Sequence, residues 1–173
     1  MKLIALIPSY DRKMKLACTI AGLQRYVKPD DIIVLEQPRG LPMGLGKSRR
    51  VVVEMGFAKH GKDAIYLMMD DDAHFDIYER GEGGDVRGAC KHFDDDKLLG
   101  VVQLLNNEKP AHDAFRYNRM VMHSFLIRGA VIDGDGGEAV NYTEGENWGD
   151  EGLFPSSCIL RAGGKGVPSG RVW

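Results

Sequence analysis

An apolar run, Ala64-Ile65-Tyr66-Leu67-Met68-Met69, stops abruptly at three carboxylates, Asp70, Asp71 and Asp72. It is short, and Gly61-Lys62-Asp63 precedes it, so it predicts an interior strand that ends on charge. Three adjacent anions at a strand end must be neutralised. Side chains alternate along a strand, which puts Asp70 and Asp72 on one face and Asp71 on the other. Two converging oxygen donors suit Mg2+ or Mn2+, hard ions that keep positions open for phosphate oxygens. The plainer alternative is a solvated Asp-rich turn after the strand.

The strand's neighbours in sequence predict an α/β fold. Lys2 to Pro8 reads as a first strand, and Pro8-Ser9-Tyr10-Asp11-Arg12 as the loop leaving it, because proline ends a ladder. Leu16, Ile20, Leu23 and Val27 put an apolar stripe on a helix from about Lys13 to Val27, which ends at Lys28-Pro29. Asp31 to Glu36 is a second buried strand, Gln37 to Gly46 a Gly- and Pro-rich loop, and Lys47 to His60 a second helix. Strand, helix, strand, helix, strand predicts a three-layer sandwich with a mostly parallel central sheet, Rossmann-like in outline. Ligands of such sheets gather at the carboxyl ends of the strands, where Tyr10, the Gln37 to Gly46 loop and Asp70 to Asp72 should meet.

Beyond Asp72 the pattern predicts a helix within Asp85 to Lys97, a strand over Leu98 to Leu105 and another over Met120 to Ile127. Gly129 to Trp148 reads as a glycine-rich, acidic loop, Phe154 to Ala162 as a helix, and Val167 to Trp173 as an edge strand. At 173 residues with 43% hydrophobic content, residues 1–173 fit one domain with a sizeable core. Residues 1–105 would form the ligand-binding part and 106–173 the rest of the site. Three widely spaced cysteines match neither a CxxC pair nor a zinc spacing, which suits a reducing, cytoplasmic setting. The apolar start is too short for a signal peptide, and no stretch predicts a membrane span. Charge is uneven: eleven Lys or Arg against five acids from Asp11 to Lys62, then eleven against twenty from Asp63 onward. A basic first part facing an acidic second part suits a phosphorylated ligand held against a metal, and equally suits surface salt bridges.

Other constellations compete for the chemistry. Gly40 to Ser48 ends in Gly46-Lys47-Ser48 between a strand and a helix, as a phosphate loop does, but Gly40 lies one residue too early for that motif. Lys47, Arg49 and Arg50 remain cations at a helix start, able to meet a diphosphate or to form an exposed basic face. Phe75 stands where an EF-hand starting at Asp70 needs glycine. Asp94-Asp95-Asp96 precedes a strand instead of following one, which places it at the opposite sheet edge as a turn or helix end. Asp150 and Glu151 head the late helix, where the macrodipole favours an ionised carboxylate able to act as a general base, or simply to cap the helix. Trp148 offers a flat surface for a sugar face or for packing, and the five histidines show no metal-ligand spacing.

Together, Ile7-Pro8-Ser9-Tyr10-Asp11-Arg12, Tyr66 to Asp72, and Gly149-Asp150-Glu151 with Leu160 to Lys165 resemble the GT-A glycosyltransferases of the Asp-x-Asp type. The resemblance spans nearly the whole chain through short motifs. It implies base and ribose contacts from Pro8, Ser9, Tyr10 and Arg12, with Asp70 also facing the donor, and diphosphate contacts from Lys47 or Arg50. It further implies Mn2+ or Mg2+ on Asp70 and Asp72, a nucleotide-sugar donor such as a UDP-sugar, and an inverting base at Glu151 or Asp150.

Two departures qualify this likeness. No histidine follows His123 to add the C-terminal metal ligand of many family members. The chain is also short, so the acceptor must be met by the Asn106 to Asp113 and Gly129 to Trp148 segments, or by a partner. By analogy with small members of the fold that glucosylate hydroxymethylated pyrimidines, DNA is one candidate acceptor. The alternatives are a P-loop-like nucleoside triphosphatase or kinase using Gly46-Lys47-Ser48, and a non-catalytic nucleotide-sugar-binding subunit.

Overall fold

The computed structural model describes residues 1–73, 86–97, 99–103, 124–134 and 165–168. In chain order these form β1 (Lys2–Tyr10), α1 (Lys13–Gly22), β2 (Asp31–Gln37), α2 (Leu45–His60), β3 (Ala64–Met69) and α3 (Val86–Asp95). Then come β4 (Leu99–Gln103), β5 (Ser124–Arg128), α4 (Gly129–Gly134) and β6 (Lys165–Pro168). The strands form one six-stranded sheet in the order β2-β1-β3-β5-β4-β6. β1 is parallel to both β2 and β3, β4 is parallel to β6, and β5 runs antiparallel to β3 and β4. This is the expected α/β sandwich with a mixed, mostly parallel sheet.

Strand alternation sorts the core onto two faces. Ile4, Leu6, Tyr66, Met68, Phe125 and Ile127 face α2 and α4, meeting Val52, Val53, Val131 and Ile132. Leu3, Ala5, Ile7, Ile65, Leu67 and Met69 face the other way, against Leu16, Leu23 and Val27 and against Ala89 and Phe93 of α3. Because β1 and β3 are covered on both sides, they read as unbroken apolar runs.

The boundaries differ from expectation in informative places. β1 does not stop at Pro8 but continues to Tyr10, paired with Gln37 of β2. Its ladder to β3 ends at Leu6 opposite Met68, so Pro8, with no N–H to donate, lies where the strand is paired on one side only. Pro8, Ser9 and Tyr10 are therefore strand residues. The helix expected over Lys13 to Val27 is present, but its last turn, Leu23–Val27, widens to π geometry and closes on Lys28 in the left-handed region.

Gly129, expected to open a loop, instead begins α4. A Cβ on it would lie 2.8 Å from the carbonyl oxygens of Gly61 and Lys62 and 3.0 Å from that of Ala64, so the glycine permits close packing rather than mobility. The final strand is Lys165–Pro168. The expected Asn106 to Asp113 loop, the remainder of the Gly129 to Trp148 segment beyond Gly134 and the helix over Phe154 to Ala162 lie outside the described residues, as do residues 169–173.

The amino edge of the sheet is closed by ion pairs. Lys59 Nζ and His60 Nε2, in the last turn of α2, both lie 2.7 Å from Asp31 Oδ2 at the start of β2. The Lys59 hydrogen bond, then that of His60, hold the Asp31 carboxyl down to about 2 against an ordinary 3.8. Arg128, at the end of β5, donates to the carbonyls of Leu99 and Asp96, which puts the second acidic triplet at this edge.

Candidate functional site

At the carboxyl edge, the ends of β1, β2 and β3 bring together Ser9 to Arg12, the loop from Pro38 to Gly44, and Asp70 to Ala73. Alternation continues one residue past β3 and then breaks. Asp70 turns to the α2 side, where Arg49 Nη2 lies 2.7 Å from its Oδ1. Asp71 turns to the α1 side, where its Oδ2 accepts from Ser9 Oγ at 2.7 Å and its Oδ1 from Arg12 at 3.3 Å. Asp72 also faces α1, because the chain turns there and Ala73 N approaches Asp70 O at 3.4 Å. The expectation that Asp70 and Asp72 share a face is corrected: strand periodicity ends with the strand, and Asp72 accepts from Arg12 and Lys15, each at 3.1 Å.

Burial separates the roles of the three acids. The Asp71 side chain is 8% exposed, and Thr19 Oγ1 pins its backbone carbonyl at 2.9 Å, so Asp71 is a structural post. Asp72 is 38% exposed and held only by the exposed cations Arg12 and Lys15 among the described ion pairs. Partial burial pushes the Asp72 carboxyl up, but the Lys15 hydrogen bond and the charges of Lys15 and Arg12 outweigh it and hold the group below its ordinary value. Asp72 is thus a carboxylate kept ionised at the site's open side.

The second wall is the β2–α2 connection. Gln37, buried at the end of β2, donates Nε2 to Ser48 Oγ at 2.7 Å and accepts from Met43 N at 2.8 Å. Ser48 Oγ in turn donates to the Gly44 carbonyl. The loop between turns on Gly40 and Gly44, both at positive φ, and Gly40 N donates to the Tyr10 hydroxyl at 3.2 Å. Ser48 therefore points its hydroxyl inward, away from where a phosphate-loop serine must meet a metal, which weighs against the triphosphatase alternative. Lys47 is exposed on the first turn of α2, while Arg50 turns along the helix to Glu54, 2.9 Å away.

Arg49 is the main surprise among the expected cations. Grouped with Lys47 and Arg50 as one of three at a helix start, it is instead 3% exposed at its side chain and bound to Asp70. Its signal was its phase: positions 49, 52, 53 and 56 form one buried stripe of α2. Lys15 and Thr19 were also missed, although Arg12, Lys15 and Thr19 follow the three-and-four spacing of one helical face. Asp150, Glu151 and Trp148 lie outside the described residues.

No protein-family model and no curated protein matches this chain. Among solved structures, it is similar to a glycosyltransferase involved in the glycosylation of the major capsid of PBCV-1. The TM-score is 0.63 at 8% identity, covering 98% of this chain and 81% of that one. The two chains share a fold. On that shared fold, the residues present can be tested against a divalent ion. Among the described residues no three His, Cys, Asp or Glu side chains group to hold a metal. Asp70, held by Arg49 on the α2 side, and Asp72, held by Arg12 and Lys15 on the α1 side, do not converge on one ion.

Proposed function

We propose that this chain is a glycosyltransferase that moves a hexose from a UDP-sugar to an acceptor hydroxyl with inversion. The observation that carries this is the meeting, on a glycosyltransferase fold, of Ser9, Arg12 and Lys15 with Asp71 and Asp72 at the carboxyl edge. An ionised, part-exposed carboxylate beside exposed cations is suited to a metal-bound diphosphate.

In this scheme Pro8, Ser9, Tyr10 and Arg12 border the base and ribose, and Lys47 and Arg50 stabilise the charge that grows on the departing diphosphate. A divalent ion carried on the diphosphate would meet Asp72 and would supply Lewis-acid stabilisation of the leaving group; Asp70, held by Arg49 on the other face, would not share it. Glu151 or Asp150 takes the proton from the acceptor hydroxyl. The freed oxygen forms a bond to the anomeric carbon as the bond from that carbon to the diphosphate breaks. The acceptor is a glycan, a small molecule or a hydroxymethylated DNA base. No described helix is long and apolar enough to cross a membrane.

Calorimetric titration with UDP, UDP-glucose and ATP, each with and without Mn2+, tests this. The expected result is Mn2+-dependent binding of the UDP species, lost in Asp72→Asn, followed by transfer in an acceptor screen that includes hydroxymethylated DNA. A preference for ATP, or no nucleotide binding, would overturn the proposal. Binding without transfer to any acceptor would favour a non-catalytic subunit.

A further inference from the structure

The three carboxylates that follow β3 are divided among three neighbouring elements. Asp70 turns to α2, where Arg49 Nη2 lies 2.7 Å from its Oδ1. Asp71 turns to β1 and accepts from Ser9 Oγ at 2.7 Å, with Arg12 at 3.3 Å on its other oxygen. Asp72 turns to α1, where Lys15 Nζ lies 3.1 Å from its Oδ2. The buried hydroxyl of Thr19 lies 2.9 Å from the Asp71 carbonyl and 3.1 Å from that of Ala73, so α1 also holds the backbone that spreads the acids apart.

A built divalent site has the opposite form. It brings several oxygens to one point, and its carboxylates repel one another until the ion arrives. Here each acid faces a cation instead. Arg49 is 3% exposed, and drawing Asp70 off to an ion would part a buried guanidinium from this carboxylate, a costly separation. Asp71 is 8% exposed with both oxygens engaged.

We infer that Asp70, Asp71 and Asp72 form an ionic clamp that seats α2, β1 and α1 on the end of β3, and that the free protein has no divalent-cation site there. The triplet has the spelling of an Asp-x-Asp motif without its convergence. The inference goes beyond the donor site proposed above and stands whether or not a nucleotide binds.

Clamp and empty metal site carry opposite stability signatures. In a metal site without its ion, neutralising one carboxylate relieves repulsion and raises Tm. In a clamp it removes support and lowers Tm.

The test is thermal melting of metal-free wild type, Asp70→Asn and Asp71→Asn, together with calorimetric titration of wild type by Mn2+ alone. Each variant should melt at least about 5 °C below wild type. Glu36→Gln, which removes an acid from the exposed pair with Lys13, should stay within about 2 °C of it. Mn2+ at about 1 mM should leave the wild-type Tm unchanged and give no saturable heat, whereas a preformed site with a Kd of about 10 μM would raise that Tm by about 5–10 °C.

Variants that melt at or above wild type overturn the clamp. A Mn2+ isotherm that Asp70→Asn or Asp72→Asn abolishes also overturns the inference. An isotherm that both leave intact belongs elsewhere on the chain, and the clamp stands. If either variant fails to fold, support has been lost as expected, and titration of wild type with Mn2+ alone decides the rest. Failure of wild type to bind any nucleotide would remove the donor site and leave each of these outcomes as it is.

Discussion

Arg49 Nη2 and Asp70 Oδ1 lie 2.7 Å apart, joining the buried face of α2 to the first residue after β3, and the two partners differ sharply in exposure. Arg49 is 3% exposed and Asp70 29%. Removing the carboxylate from a buried guanidinium should therefore cost more than removing the guanidinium from a half-open carboxylate. Asp70→Ala is expected to lower unfolding stability by about 3 kcal/mol, and Arg49→Met by clearly less. Urea denaturation of both variants decides it, and a reversed order would show that the pair is not the main support of Arg49.

Two glycines separate backbone crowding from side-chain crowding. Gly129→Ala would drive a Cβ against three carbonyl oxygens at 2.8 to 3.0 Å, none of which can rotate away. It should destabilise by about 1–3 kcal/mol. Gly56→Ala meets Leu6 Cδ2 at 2.6 Å, the mobile end of a side chain, and Tyr66 Cε1 at 3.3 Å. There the helix propensity gain of about 1 kcal/mol offsets much of the crowding. Thermal melts should rank Gly129→Ala well below Gly56→Ala.

Acid should dissolve the clasp at Asp31. Its folded pKa, about 2, lies below its ordinary 3.8, so its contribution is fully present above about pH 4 and is lost as pH falls through about 2. The difference in Tm between wild type and Asp31→Asn should be constant from neutral pH to about pH 4 and shrink toward pH 2. A gap that persists at pH 2 would show that Asp31 acts through packing instead of charge.

For the chemical step, Glu151→Gln and Asp150→Asn should separate. Loss of the true base is expected to lower turnover by about 10^2 to 10^4, while the other variant stays near wild type. Wild-type rates in both, or a product of retained anomeric configuration, would exclude inverting transfer by this acid pair.

The interior strands were legible because they carry their own limits. β3 begins and ends at the residues expected, Ala64 and Met69, since Gly61-Lys62-Asp63 and Asp70 bound an apolar run that both faces need. Misreadings arose where tertiary contacts override local rules. Pro8 extends β1 because only one neighbour pairs there, Gly129 answers to three carbonyls distant in sequence, and Asp72 leaves the alternation because the backbone turns first. The acidic triplet was visible as the end of a strand, but its neutralisation by Arg12, Lys15 and Arg49 was not. Surface-type residues disclose their partners only once helices are laid against the sheet.

The antiparallel insertion of β5 has an architectural consequence. Gln103, closing β4, pairs with Phe125, and Ser124, opening β5, pairs with Met69, so the chain leaves and re-enters the sheet at the edge that holds the acidic triplet. The two posts are fixed by backbone pairing to β5 and β3. Both anchors of residues 104–123 therefore lie at one sheet edge, set by strand pairing. For an engineer this is a graft point with both anchors on the same side of the sheet.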